Sequence, residues 1–247
     1  THVAPTLQHA LEHWPRVRPA LEALQATLDA DGGDERLPAN ARAFDAAELA
    51  APLPRAYAWL DGSAYINHVE LVRKARGAEV PACFYTSPLM YQGGPDGFLA
   101  PLAPIEADDE EWGIDFEGEI GVIVDDVPAG ASASDAAEHI RLIVLLNDVS
   151  LRNIIPEEVA KGFGFVQGKP PTAFAPVAVT PETLGDAWRD GKLHRPLLCH
   201  VNGSRVGWAD AGVDMTFSFP ELIAHAARTR PLALGTMKTD LLLECAL

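Results

Sequence analysis

The chain has 247 residues, 48% of them hydrophobic, enough to bury about 70–75% of the surface its unfolded form exposes, in one large domain or two small ones. Asp and Glu outnumber Lys and Arg by 35 to 19, a formal charge of -16 that repels nucleic acid and anionic membrane surfaces. No apolar run approaches the length of about 18 residues that argues for a membrane span. Three scattered cysteines, Cys83, Cys199 and Cys245, without a C-x-x-C pair, suggest neither a disulfide framework nor a zinc cluster, and a reducing cytoplasm is the simplest home.

In chain order, Leu7, Leu11, Trp14, Val17, Leu21, Leu24 and Leu28 recur at steps of three and four. That spacing predicts an amphipathic helix over 5–30, broken near Pro15 and Pro19. The opening THVAPTLQHALEHW has neither a signal-peptide pattern nor an initiator Met, so a trimmed start is expected. DGGDERLPANAR, residues 31–42, predicts a surface loop. Over 61–76, Asp61 precedes good helix formers that end in basic residues before Gly77, predicting a helix capped by Asp61. Residues 86–105, rich in Pro and Gly, predict a long ordered loop.

GIDFEGEIGVIVDDV and HIRLIVLLNDVS, dense in Ile, Val and Leu, predict strands, with a helical start from Asp135 as the alternative for the second. GFGFVQG, residues 162–168, lacks the strand-turn-helix setting of a dinucleotide loop. APVAVT and LLCHVNGSRVG read as further strands, and Ser218 before Pro220 as a helix start. The sequon Asn202-Gly203-Ser204 has no secretory context to support it. Strands mixed with a few helices point to an α+β fold.

Alternate side chains of a strand share a face, so Asp115, Glu117 and Glu119 form a row opposite Ile114, Phe116, Ile120, Val122 and Val124. An E-x-E strand ordinarily turns such a row to water. Here Gly121 and Ile123 continue the acidic face, and the flanking segments are apolar enough to bury the sheet on both sides. Like charges removed from water must take up protons or meet a cation. Asp148, directly after LIVLLN, supplies a third candidate oxygen ligand, or else a turn residue. An all-carboxylate set would select Mg2+, Ca2+ or Mn2+ over Zn2+.

Five ordered motifs, DGSAYINH, YQGG, DFEGEIGVI, LNDVSLR and the QGK of FGFVQGKPPTAF, resemble the fumarylacetoacetate hydrolase family over residues 5–236. The wording is closest to bacterial fumarylacetoacetases. The resemblance implies a mixed β-sandwich roll with short flanking helices. A helical N-terminal segment and linker would occupy 1–60, and a β-rich catalytic domain 61–247. It implies that Asp61, Glu117, Glu119 and Asp148 hold a divalent metal, Mg2+ or Ca2+ with Mn2+ as a further option. His68, seven residues after Asp61, becomes the general base, Lys169 the oxyanion stabiliser, and Tyr91 and Arg152 the substrate-binding residues.

The reaction so implied is metal-dependent C–C hydrolysis of a β-diketo acid such as fumarylacetoacetate, in a cytoplasmic homodimer of tyrosine degradation. Acylpyruvate hydrolysis, oxaloacetate decarboxylation, hydratase chemistry and an impaired metal-binding homologue are the alternatives. Asp115 is expected at the surface or behind the ligands. Two departures stand out. Ile155 occupies a place where the family often has a substrate-contacting Gln, and GTMKTDLLLECAL replaces a Gly-Thr-rich segment, so a truncated or divergent C-terminal part is expected. The partner of His68 is not identifiable from the sequence, because Glu70, two residues on, faces elsewhere on a helix.

Overall fold

The computed structural model describes residues 3–30, 42–75, 77, 79–162 and 164–246. It opens with α1 (Leu7–Glu12), capped by the Thr6 side chain, and α2 (Trp14–Ala30). The break expected near Pro15 falls at His13, whose φ of -121° ends α1, and no break occurs at Pro19. Pro15 sits in the first turn of α2, where a missing N–H costs no helical bond, and Pro19 lies inside that helix. The loop expected over 31–42 lies outside the described residues up to residue 41.

Next come β1 (Trp59–Ser63), α3 (Ile66–Ala75), β2 (Leu89–Gly93), β3 (Ile114–Val124), α4 (Ala133–Ala137), β4 (Ile140–Asn147), β5 (Ser150–Leu151) and α5 (Ile155–Ala160). β6 (Ala173–Val179), β7 (Trp188–Arg189), β8 (Lys192–Leu193), β9 (Pro196–Val201), β10 (Ser204–Asp210), α6 (Phe219–Ala226) and β11 (Met237–Ala246) complete the order. Two expectations change. Asp61 is not a helix cap: it lies within β1, and α3 begins five residues later. The segment 86–105 is not all loop, because β2 pairs antiparallel with β1, Tyr91 opposite Asp61. Pairing partners distant in sequence decided both, and local composition carries no record of them. For the stretch after Asp135, α4 and β4 are both present.

The main sheet runs β2-β1-β11-β3-β4-β6, with β5 added to β3; β1 and β11 are parallel and the other pairs antiparallel. The fold is mixed α+β with short helices, as expected. Both faces of the sheet are covered. Even-numbered residues of β3, Ile120, Val122 and Val124, pack with Phe219, Leu222 and Ile223 of α6. On the other face, Ile123 packs with Leu142, Val144 and Leu146 of β4, with Leu11 of α1, and with Trp59, Phe98 and Phe174. Those three rings meet edge-on or tilted at 4.7–5.7 Å between centroids.

A short hairpin pairs β9 with β10 through Asn202 and Gly203, both at positive φ, the combination favoured in a tight two-residue turn. Gly118 of β3 admits this hairpin: a Cβ there would lie 3.0 Å from Leu197 and 3.1 Å from the Cys199 sulfur.

Candidate metal centre and active-site cavity

The face that carries Ile123 continues along β3 through Gly121 to Glu119, Glu117 and Asp115, so the side-chain period of two that buries Ile123 also buries the acids. All three are at most 3% exposed. Asp115 is therefore not a surface residue; Arg152 Nε donates to its Oδ2 at 2.8 Å. Asp61 comes to the same face through Trp59, two residues before it in β1, and Asp148 follows the end of β4, its N–H bonded to the Glu117 carbonyl.

Asp61, Glu119 and Asp148, all buried, bring one carboxylate oxygen each to within 4.8 Å of one another. Oxygens bound to one ion at 2.0–2.6 Å can be no farther apart than twice that length, so the spacing suits a single hard cation. Neither oxygen of Glu119 has a hydrogen-bond partner among the described residues. Burial, and then the charges of Asp61, Asp148 and Glu117, hold its carboxyl well above the ordinary glutamate range. Within the group of five buried acids, Asp61, Asp115, Glu117, Glu119 and Asp148, Arg152 forms ion pairs with Asp115 and Glu117, and Lys169 with Glu117 and Asp148. The buried acidic cluster could coordinate a divalent metal, and the donor set fits Mg2+, Ca2+ or Mn2+ without choosing among them.

Glu117 stands outside the convergent trio. Its Oε1 accepts from Ser150 Oγ at 2.9 Å and Arg152 Nη2 at 2.5 Å, and its Oε2 from Lys169 Nζ at 2.5 Å. Lys169 also donates to Asp148 Oδ2 at 2.8 Å, an oxygen that accepts the Tyr91 hydroxyl at 2.5 Å, while Thr172 Oγ1 donates to the other oxygen at 2.6 Å. Burial alone would lower the ammonium's pKa; the four surrounding carboxylates, Asp148 foremost, outweigh it and raise it, so Lys169 stays charged. The Tyr91 hydroxyl is held well above its usual value by burial and by Asp148, and so remains a donor.

A cavity of about 390 Å3 opens over this network, lined by Asp61, His68, Tyr91, Glu117, Arg152 and Lys169 with apolar neighbours including Met90 and Phe84. His68 is half-buried on α3, on the cavity wall. The eight residues expected from the sequence thus gather at one end of the sheet: seven line this cavity or join its hydrogen bonds, and Glu119 lies beneath. Thr172, Ser150 and the Asp115–Arg152 pair were not anticipated. Thr172 follows Lys169 by three residues in a proline-containing loop with no period, so no local signal marks it.

Fold and site together define a protein with a buried carboxylate cluster carried by interior strands of a two-sided sheet. The family described as fumarylacetoacetate (FAA) hydrolase C-terminal matches residues 58–237, and that described as fumarylacetoacetase N-terminal domain 2 matches residues 1–55. The chain belongs to the fumarylacetoacetate hydrolase family. No curated protein matches it. Among solved structures, a protein named HpcE from Mycobacterium smegmatis superposes with a TM-score of 0.71 at 18% identity, over 96% of this chain and 76% of that one. A 2-hydroxyhepta-2,4-diene-1,7-dioate isomerase from Mycobacterium marinum gives 0.59 at 19%, over 84% and 73%. A protein assigned to the fumarylacetoacetate hydrolase family from Yersinia pestis CO92 gives 0.60 at 18%, over 77% and 83%. At such identities the likeness shows the fold.

Proposed function

We propose that the chain is a divalent-metal-dependent hydrolase that splits the C–C bond of a β-diketo acid, with fumarylacetoacetate, cleaved to fumarate and acetoacetate, as the leading substrate. The observation that carries the reading is Glu119: a fully buried carboxylate with no hydrogen-bond partner among the described residues, converging with Asp61 and Asp148 beneath the cavity that His68 and Lys169 line. Such a group is costly unless a cation or proton completes it.

Asp61, Glu119 and Asp148 would hold the ion, with Glu117 as the fourth ligand once its oxygens exchange an ammonium or guanidinium contact for the metal. A bound divalent ion would polarise a diketone's oxygens and stabilise an enolate. His68 would accept a proton as water attacks the carbonyl carbon. The C–C electron pair then passes to the enolate fragment, which takes up a proton, and the attacked carbon leaves as a carboxylate. Lys169 would stabilise the negative oxygen formed on attack. Arg152 and Tyr91 would orient the substrate, although the guanidinium is already shared between Asp115 and Glu117.

That engagement, with Ile155 where a Gln is common, favours a substrate whose acid group is held differently. Acylpyruvates, oxaloacetate and hydratase substrates therefore stay in the test, as does an impaired metal-binding homologue. A homodimer in the cytoplasm remains the expected setting. The test follows the diketone absorbance of fumarylacetoacetate and acetylpyruvate with protein and Mg2+, Ca2+ or Mn2+. Metal-dependent loss of absorbance supports the reading, and no turnover of any diketo acid sinks it.

A further inference from the structure

The carboxylate of Glu158, on α5, is ringed by backbone donors from one loop. Its Oε1 accepts the N–H of Val166 at 3.1 Å and of Gln167 at 2.8 Å, and its Oε2 those of Phe165 at 3.1 Å and Gly168 at 2.9 Å. Four successive amides aimed at one charge form an anion-binding concavity of the kind that backbone nests make for phosphates, filled here by the protein's own side chain. Contact between loop and helix is tight. A Cβ on Gly168 would lie 2.5 Å from Ile155 Cγ1, so only glycine lets the loop lie this close to α5.

The clasped segment leads straight into the site. Phe165 sits at a φ of 68°, unusual for a residue with a side chain, and its ring packs on Tyr91 at 4.6 Å between centroids. Lys169 follows Gly168 and bridges Glu117 and Asp148. Phe165 and Lys169 both line the cavity of about 390 Å3, and both line a second one of about 570 Å3 whose walls include Gln92, Gly93 and Gly94. The loop borders both. Glu158 itself lines neither cavity, so its effect must pass through the loop.

We propose that Glu158 is a positioning residue: its four-fold clasp fixes the Phe165–Gly168 backbone, and thereby sets Lys169 between Glu117 and Asp148. The functional consequence rests on Lys169 being a working group of the proposed hydrolase, whereas the positional one does not. Gln at 158 keeps one acceptor oxygen and turns an NH2 group against the other two amides, so it should retain about half of the clasp; Ala retains none.

The test compares Glu158→Gln, Glu158→Ala and the exposed neighbour control Glu157→Ala, all in the full chain. Hydrogen exchange of residues 164–169 and acetylation of Lys169 by acetic anhydride, both read by mass spectrometry, need no substrate. The expected exchange acceleration is about tenfold or more for Ala and smaller for Gln, with several-fold faster Lys169 acetylation, while the control matches the wild type. The melting temperature is expected to stay within a few degrees. If a diketo acid is turned over, kcat falls more than KM rises. Wild-type exchange and acetylation in Glu158→Ala would overturn the proposal; so would a loss of protection spread evenly over the chain with a fall in melting temperature, which would mark Glu158 as a general stability residue. Absence of turnover in every variant, with the exchange pattern as expected, would count against the hydrolase reading and leave the clasp established.

Discussion

Replacing Glu119 by Gln keeps the side chain's size while removing a carboxylate that has no hydrogen-bond partner among the described residues. If the carboxylate serves a metal, the loss should be large for the ion and small for the metal-free fold. Changes to residues behind metal ligands already weaken binding about 10–100-fold, so losing a ligand should reach at least the upper figure. At a metal concentration of about 100 times the wild-type Kd, binding stabilises the native state by about 2.7 kcal/mol. For a chain of this size, with about 2–4 °C per kcal/mol, that raises the melting temperature by roughly 5–11 °C. At the same concentration the variant, weakened about 100-fold, sits at its own Kd, gains about 0.4 kcal/mol, and shifts by only about 1 °C. Differential scanning fluorimetry with Mg2+ or Ca2+ against a chelator reads both values. With chelator the variant should melt no lower than the wild type, because Gln relieves the crowding of Glu119 by Asp61, Asp148 and Glu117. A wild-type-sized metal shift in Glu119→Gln would refute the argument.

The same carboxyl makes the metal-free protein sensitive to pH. Because Glu119 titrates higher folded than unfolded, its contribution is full below the ordinary glutamate value of about 4.3 and is lost as pH rises through the folded-state value. In chelator, the stability of wild type relative to Glu119→Gln should therefore fall as pH is raised from about 5; a difference that stays flat or grows would contradict it. Metal binding near neutral pH should also release protons, measurable by calorimetry in buffers of different ionisation enthalpy. Gly93→Ala tests the packing that seats β2 and Tyr91, since the new Cβ would stand 2.0 Å from Trp59 Cδ1 in the buried aromatic cluster. Overpacking of this kind costs about 1–3 kcal/mol, a drop of several degrees in melting temperature, and an unchanged value would show that Trp59 yields freely.

How much of this site could be read in advance follows from where each contact's information resides. A strand's period of two is local, so GIDFEGEIGVIV by itself aligned the three acids against Ile120, Val122 and Val124, and the flanking apolar runs argued for burial on both sides. The end of LIVLLN likewise exposed Asp148 as a candidate. His68, Tyr91, Arg152 and Lys169 have no periodicity to mark them and were reached only through five ordered motifs resembling a known family.

Tertiary structure decided the rest. Asp61, taken for a helix cap from its neighbours, became a strand residue because β11 and β2, distant in sequence, pair on either side of β1. Of the two places expected for Asp115, the surface or behind the ligands, the same closure of the sheet chose the buried one, as a partner of Arg152. It also divided the two glutamates of one motif: Glu117 met two cations and a serine, while Glu119, on the same face, has no hydrogen-bond partner among the described residues. Alternation can say that two carboxylates share a face, but which of them is neutralised depends on side chains 33–52 residues away, whose arrival only the packed chain settles.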